Sequence, residues 1–337
     1  MVSSDSSLDR HANSLPAGGD HANTLACPLI WLPQQQGAIQ SRVSLRDRTS
    51  FRVGGEAEWY TSPRDREQLL AALAWGRSQD IPITLLGAGS NLLIGDGGLP
   101  GLVVCTRHLN GAHFDAETGQ VTVAAGESLV RLAWQAAKLG WRGLEWMVGI
   151  PGTVGGATVM NAGAHNSCMA DILVRAEVLE PDGTCQGYAP TDLDYQYRRS
   201  ILQGSDRVVT QAILQLQPGF DPEQVVADTA AQLRQRRRSQ PYHRPSCGSV
   251  FRNCYPYAAG WLIEQTGLKG YQIGQAQVAQ RHANFILNCG KASASDILRL
   301  IRHVQEQVAH RWSIKLQPEV KILGDFPDLS EPTQVLV

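Results

Sequence analysis

Two glycine-dense stretches about sixty residues apart, GAGSNLLIGDGG at 87–98 and GIPGTVGGATVMNAGAH at 149–165, constrain this chain more than any other feature. Glycines set this close cost backbone entropy, so each run points to a loop whose backbone approaches a ligand. Successive N–H groups exposed in such a loop form a concave anion site suited to a pyrophosphate. Neither run is the G-x-G-x-x-G fingerprint, because the position that needs its third glycine is Leu92. Two phosphate-cradling loops without that fingerprint suggest a large cofactor such as FAD, gripped from two sides. For either run alone, a tight turn in a β-rich domain explains the glycines equally well.

The chain has 337 residues, room for two or three modest cores. Its formal net charge of −1 gives no general attraction to nucleic acid or to an anionic membrane, though a local basic pocket remains compatible with it. Seven cysteines, at 27, 105, 168, 185, 247, 254 and 289, are odd in number, scattered and free of any C-x-x-C. Reduced thiols in a cytoplasmic protein follow from that pattern better than a disulfide framework. Cys247, Cys254 and His243 match no familiar zinc module and lack a fourth ligand, so no metal is expected. No apolar run reaches the roughly 18 residues of a membrane span, and Asp5, Asp9 and Arg10 stand where a signal peptide needs an apolar core. Residues 1–40 are rich in Ser, Gln, Gly and Asn, echo HANS at 11–14 as HANT at 21–24, and read as a disordered extension.

From residue 41 the pattern becomes regular. A strand is expected over 56–63, an amphipathic helix over Arg64–Gln79, and short strands at Ile83–Leu86 and Leu102–Cys105. The first glycine loop therefore follows a strand, where open α/β folds place ligands. Strands at Val121–Ala125, Ile172–Leu179 and Arg207–Leu216 and a helix at Ser128–Lys138 make a second, β-rich unit. Asp221 as N-cap and Pro222 at the first helical position open a third unit, with a long helix at Ala294–Arg311 and a last strand near Ser313–Leu323.

Chemistry-bearing groups lie outside the glycine loops. YRRS at 197–200 sets two arginines beside an aromatic, suited to clamping a carboxylate or phosphate; a solvated loop charge is the plain alternative. Ser249 in CGSVFRN lacks a hydrolase G-x-S-x-G context but can still pass a proton. Glu319 in QPEVKILG stands among apolar residues on an expected strand, so its pKa rises if it is unpaired, unless Lys321 or a neighbour forms a salt bridge with it. His282 and Asn284 in RHANFI occupy alternate positions and would share one face of a strand, although a lone histidine is more often a satisfied core residue.

Taken together, TSFRVGG at 49–55, GAGSNLL, GIPGTVGGA, YRRS, GSVFRN, GLKG at 267–270, HANFI and PEVKILG occur in the order seen in the UDP-N-acetylenolpyruvoylglucosamine reductase (MurB) family. The resemblance covers about residues 42–325. It implies an α+β chain with an FAD-binding fold of the vanillyl-alcohol-oxidase (PCMH) type in two domains, over 41–107 and 108–219. A smaller α/β substrate-binding domain over 220–326 and a C-terminal tail over 327–337 complete it. The family reduces the enolpyruvyl ether of a UDP-sugar to a lactyl ether for peptidoglycan, using NADPH and FAD. The resemblance puts a charge-stabilising arginine at Arg198, a proton donor at Ser249 and a glutamate that must be neutral to donate at Glu319. It puts FAD on Gly87, Ala88, Gly89, Ser90 and Asn91, and on Gly149, Ile150, Pro151, Gly152, Thr153, Gly155, Gly156 and Ala157. Substrate contacts fall on Tyr197, Asn253, Lys269, His282 and Asn284. The implied partner is the small-molecule UDP-sugar; nothing marks an obligate protein partner.

The chain departs from the family's pattern in three places. Cys254 stands where the serine motif usually has proline, which would have fixed one backbone angle. Arg252 replaces the usual lysine, keeping charge but not geometry. Only about fifty residues separate YRRS from Ser249, which leaves little room for the tyrosine-bearing lid of one branch, so the branch without it is expected. Two rivals remain open: a flavoenzyme of other specificity, with His165 as a covalent flavin anchor, and a nucleotide-sugar-binding regulator without redox activity.

Overall fold

The computed structural model describes residues 29–32, 37–327 and 329. The first unit is built from Leu29–Trp31 (β1), Ala38–Ser44 (β2), Glu56–Thr61 (β3), Arg66–Ser78 (α1), Ile83–Leu86 (β4), Leu92–Ile94 (β5) and Leu99–Cys105 (β6). Its sheet runs β1-β2-β3-β6-β4, antiparallel up to β3 and parallel beyond it. Asp65 caps α1 by accepting the Gln68 N–H at 2.8 Å, and the helix buries Leu69, Ala72 and Leu73 against Leu102 and Val104 of β6. Leu32 and Ile39 belong to that same core. This corrects the expectation that all of residues 1–40 lack structure. The apolar Leu29–Leu32 segment is masked when composition is averaged over forty residues, yet it pairs with β2 as the edge strand of the sheet. Residues 1–28, with Cys27 and the HANS/HANT echo, and residues 33–36, 328 and 330–337 lie outside the described residues.

The second unit holds Ala112–Asp115 (β7), Gln120–Ala124 (β8), Leu129–Lys138 (α2) and Val154–Met160 (α3). It continues through Gly163–Ala164 (β9), Ser167–Cys168 (β10), Met169–Ile172 (α4), Leu173–Leu179 (β11), Cys185–Tyr188 (β12) and Val208–Gln215 (β13). The sheet β12-β11-β13-β8-β7 is antiparallel throughout, with alternate side chains such as Val121 and Val123 fully buried. Pro222–Ser239 (α5) is capped by Asp221 as expected, but it packs on α2 and the 145–147 turn. Its Leu233 joins the second core, so this helix closes the second unit rather than opening the third.

The third unit contains Ala259–Gln265 (α6), Gln272–Ile273 (β14), Ala276–Val278 (β15), Ile286–Asn288 (β16) and Ala294–Trp312 (α7), with α7 laid across the sheet β14-β15-β16. Both carboxylate oxygens of Asp96, from the first unit, accept N–H groups at the start of α7, from Ala294 and Ser295 at 2.8 Å each. The final strand is only Lys321–Leu323 (β17), and it pairs in parallel with β5. Residues just before it bond elsewhere: Gln317 accepts from Arg252 at 2.9 Å, and the Glu319 N–H donates to Val250 at 2.7 Å. The longer strand expected from Ser313 is therefore absent, and Glu319 sits ahead of β17 rather than on it. The C-terminal part of the fold thus returns to the strand that follows the first glycine loop.

Candidate active site

The two glycine runs face each other across one cleft of about 870 Å³. A side-chain carbon added to Gly87 would lie 2.7 Å from Thr153 Oγ1, and one on Gly152 would lie 3.5 Å from Ser90 Oγ. Gly87 to Asn91 all line the wall, as do Ile150 to Thr153 and Gly155 to Ala157. Gly149 stands behind it, where its carbonyl accepts the Tyr242 hydroxyl at 2.9 Å. Gly89 requires glycine twice over: its φ is +64°, and a Cβ would overlap the Arg48 carbonyl oxygen. Arg107 holds the first loop in shape by donating to the carbonyls of Gly87 (3.1 Å), Arg48 (3.0 Å) and Ala88. No motif marks Arg107 in the sequence, because its role is to satisfy carbonyls that only the fold brings together.

Arg198 and Glu319 meet in this cleft from different units. Tyr197 and Arg198 form the tip of a tight turn closed by reciprocal Gln196–Arg199 backbone hydrogen bonds, with Arg198 at φ +58°. Asn161 secures the turn by donating to the Gln196 carbonyl at 3.1 Å. Arg198 Nε donates to Glu319 Oε1 at 3.0 Å, and its Nη2 donates to the Gly163 carbonyl at 2.6 Å. Both side chains are largely shielded from solvent. Burial pushes the Glu319 carboxyl above the usual glutamate pKa; the charges of Arg198 and Arg252 oppose the shift without cancelling it. The partner of Glu319 is therefore Arg198, not Lys321.

Ser249 lines the same cleft, and its segment is tied to both sides. Its neighbour Val250 donates to the Asn284 carbonyl at 2.8 Å and accepts the Glu319 N–H. The buried Asn284 amide clamps Phe251, accepting its N–H at 2.9 Å and donating to its carbonyl at 2.8 Å. Asn284 touches the cleft, but its polar atoms are spent on positioning the serine segment. Its predicted strand is a turn, and His282 has burial and then the Lys269 charge to lower its pKa. His282 and Lys269 lie off the cleft wall, Lys269 pairing with Glu264 at 2.6 Å. Asn253 does reach the wall while accepting the Ala259 N–H at 3.0 Å. Tyr197 lines the cleft, with the Arg198 guanidinium 5.0 Å from its ring centre. His165 is exposed at the β9–β10 turn and is not on the cleft wall, so the structure gives no support to its role as a covalent flavin anchor.

The residues fit FAD. The cleft lies toward the upper end of the roughly 300–1,000 Å³ typical of ligand sites. Both loops present backbone where side chains are excluded, and Arg236 lines the same wall with its Nε buried and unpartnered. Residues 57–187 match the model of an FAD binding domain family, and with the cleft they define an FAD-dependent oxidoreductase. Residues 240–323 match the UDP-N-acetylenolpyruvoylglucosamine reductase, C-terminal domain. The chain is 62% identical over 304 residues to the UDP-N-acetylenolpyruvoylglucosamine reductase of Nostoc punctiforme, covering 90% of this chain and 92% of that one. It is 57% identical over 307 residues to that of Acaryochloris marina, covering 91% of this chain and all of the relative. The crystal structure of the Thermus caldophilus reductase aligns at a TM-score of 0.71 with 37% identity, covering 84% of this chain and 98% of that one. The chain belongs to the UDP-N-acetylenolpyruvoylglucosamine reductase (MurB) family. It is thus a flavin-dependent reductase of peptidoglycan precursor synthesis, acting on a UDP-sugar with FAD as cofactor and NADPH as reductant. Among the described residues no helix is long and apolar enough to cross a membrane.

Proposed function

We propose that Arg198, Glu319 and Ser249 carry the reduction of UDP-N-acetylglucosamine enolpyruvate to UDP-N-acetylmuramate in the cytoplasm. The 3.0 Å Arg198–Glu319 pair, inside the cleft lined by both glycine loops, carries this reading. When bound, FAD supplies the relay of hydride from NADPH to the β-carbon of the enolpyruvyl group. Negative charge then grows on the α-carbon and its carboxylate, and a fixed guanidinium there stabilises the transition state more than the ground state. Arg198 is held for that task by Glu319 and by the Gly163 carbonyl. Glu319, with its raised pKa, can hold a proton and donate to the same group. Ser249 Oγ delivers the proton to the α-carbon: an alcohol is a weak acid, but a carbanion is basic enough to reverse the driving force.

Tyr197 and Asn253, on opposite units of the same wall, serve the bound nucleotide-sugar, while Asn284 acts through the serine segment. The span between Arg198 and Ser249 is used by β13, α5 and their connections, consistent with the branch lacking the tyrosine-bearing lid. The small substrate and cofactors are the only partners this reading requires, without nucleic acid, membrane or a second protein. Anaerobic stopped-flow absorbance near 450 nm tests it: NADPH should bleach the flavin, and UDP-N-acetylglucosamine enolpyruvate should restore the colour. Bleaching without recovery would reject this substrate.

A further inference from the structure

Lys321 is a cation in the cleft that the chemistry above leaves unused. It lines the wall two residues beyond Glu319, and its backbone is fastened to the first glycine loop. The Lys321 N–H donates to the Asn91 carbonyl at 3.0 Å, and its Cα is in register with Leu92 across the β17–β5 pair. Among the described residues its ammonium has no carboxylate partner, since Glu319 is taken by Arg198. Arg252 adds a like charge nearby; burial first, and then Arg252, hold the Lys321 pKa below the usual lysine value. A half-buried ammonium next to a guanidinium is unfavourable unless an anion completes the site.

The proposed reaction brings two anions into the cleft: the substrate carboxylate and the flavin once it has gained two electrons. Arg198 already answers the first. Lys321 is the cleft cation whose main chain is joined to the cofactor loop. We propose that Lys321 tunes the cofactor, its ammonium stabilising the negative charge of reduced FAD and so raising the flavin's reduction potential. The inference rests on the placement of the chemistry at Arg198, Glu319 and Ser249.

The test is the flavin midpoint potential of the FAD-loaded enzyme, read by equilibration with a reference dye. Lys321→Met should weaken the preference for reduced over oxidised FAD about tenfold, a fall of about 30 mV for a two-electron couple. Lys321→Arg should keep the potential near that of the parent, and Lys321→Gln replaces the methionine variant if that one sheds its flavin. An unchanged potential in the neutral variants overturns the proposal. If their KM for the enolpyruvyl nucleotide rises at the same time, Lys321 serves the substrate instead. Recovery of flavin colour on adding that nucleotide is scored separately: its absence in the parent enzyme would reject the catalytic reading rather than the role of Lys321.

Discussion

The side-chain amide of Asn91 donates to the main-chain carbonyl of Glu319 across 3.0 Å. A residue of the first glycine loop and the residue proposed above to supply a catalytic carboxylate, 228 positions apart in sequence, are thereby held in one frame. The neighbouring Lys321 N–H bond to the Asn91 carbonyl closes the link. Under the proposed roles, this contact couples flavin position to substrate polarisation. Asn91→Ala leaves a shielded carbonyl without its donor, a loss of about 1–3 kcal/mol. We expect FAD affinity to fall about tenfold and kcat to fall with it, measured by flavin fluorescence quenching and steady-state turnover. Unaltered FAD affinity would show that the contact is incidental.

Ser249→Ala separates the two half-reactions. Flavin bleaching by NADPH should proceed at nearly the parental rate, because the proposed role of the serine hydroxyl falls in the second half-reaction. Reoxidation by the enolpyruvyl nucleotide should slow by about 10²–10⁴, the usual worth of a positioned proton donor. Equal loss in both halves would mean that the serine is structural.

The raised pKa of Glu319 gives a signed prediction for stability. The folded state binds this proton more tightly than the unfolded chain does, so the protonated carboxyl favours folding. That contribution is complete below the ordinary glutamate value of about 4.3 and is lost as pH rises through the higher folded value. Glu319→Gln cannot titrate. The melting temperature of the parent minus that of the variant should therefore fall as pH climbs above about 4.3, then level off. A difference that grows with pH would mean that pairing with Arg198 outweighs burial.

Much of this site was legible because local chemistry dictates it. The two glycine loops, the Ile83–Leu86 strand before the first, and the Asp221–Pro222 helix start are short-range signals, and each appears in the fold. What escaped depends on tertiary context. Asn284 and His282 read as alternating strand positions, yet the fold uses Asn284 to clamp Phe251 from 33 residues away. Lys269 lies in a family motif but faces Glu264, and α5 carries a clean start signal that says nothing of which core it joins. Arg107 carries no local signal, and Asn161 and Lys321, although inside quoted motifs, carry none that says what they bind, since each answers groups supplied by another segment.

The boundary at residue 40 carries its own test. A chain beginning at residue 41 loses Leu32 and Ile39, both buried in the core that holds α1. Each is worth roughly 1.5–3 kcal/mol of burial. The melting temperature should drop by several degrees relative to the full chain. Because Leu73 belongs to that core and also lines the cleft, the truncated protein should retain less FAD through purification. An unshifted melting temperature would show that β1 and the first residues of β2 add nothing to the stability of the fold.

Gly89 and Gly248 allow loop shape to be separated from backbone strain. Both have positive φ, +64° and +82°, so alanine at either position carries a left-handed penalty of about 1–2 kcal/mol. Around Gly248, on the cleft wall beside Ser249, no protein heavy atom lies within 4 Å of an added Cβ, so the protein itself adds no clash to that strain. At Gly89 the same carbon would overlap the Arg48 carbonyl oxygen and approach Thr49 Cα at 2.9 Å. Arg107 also holds that Arg48 carbonyl, so relieving the clash pulls apart the bonds that shape the loop. Gly248→Ala should fold with close to full FAD content and a small fall in melting temperature. Gly89→Ala should lose most of its bound FAD and melt well below Gly248→Ala. Equal FAD content in the two variants would show that the first glycine loop tolerates displacement and does not set the cofactor site.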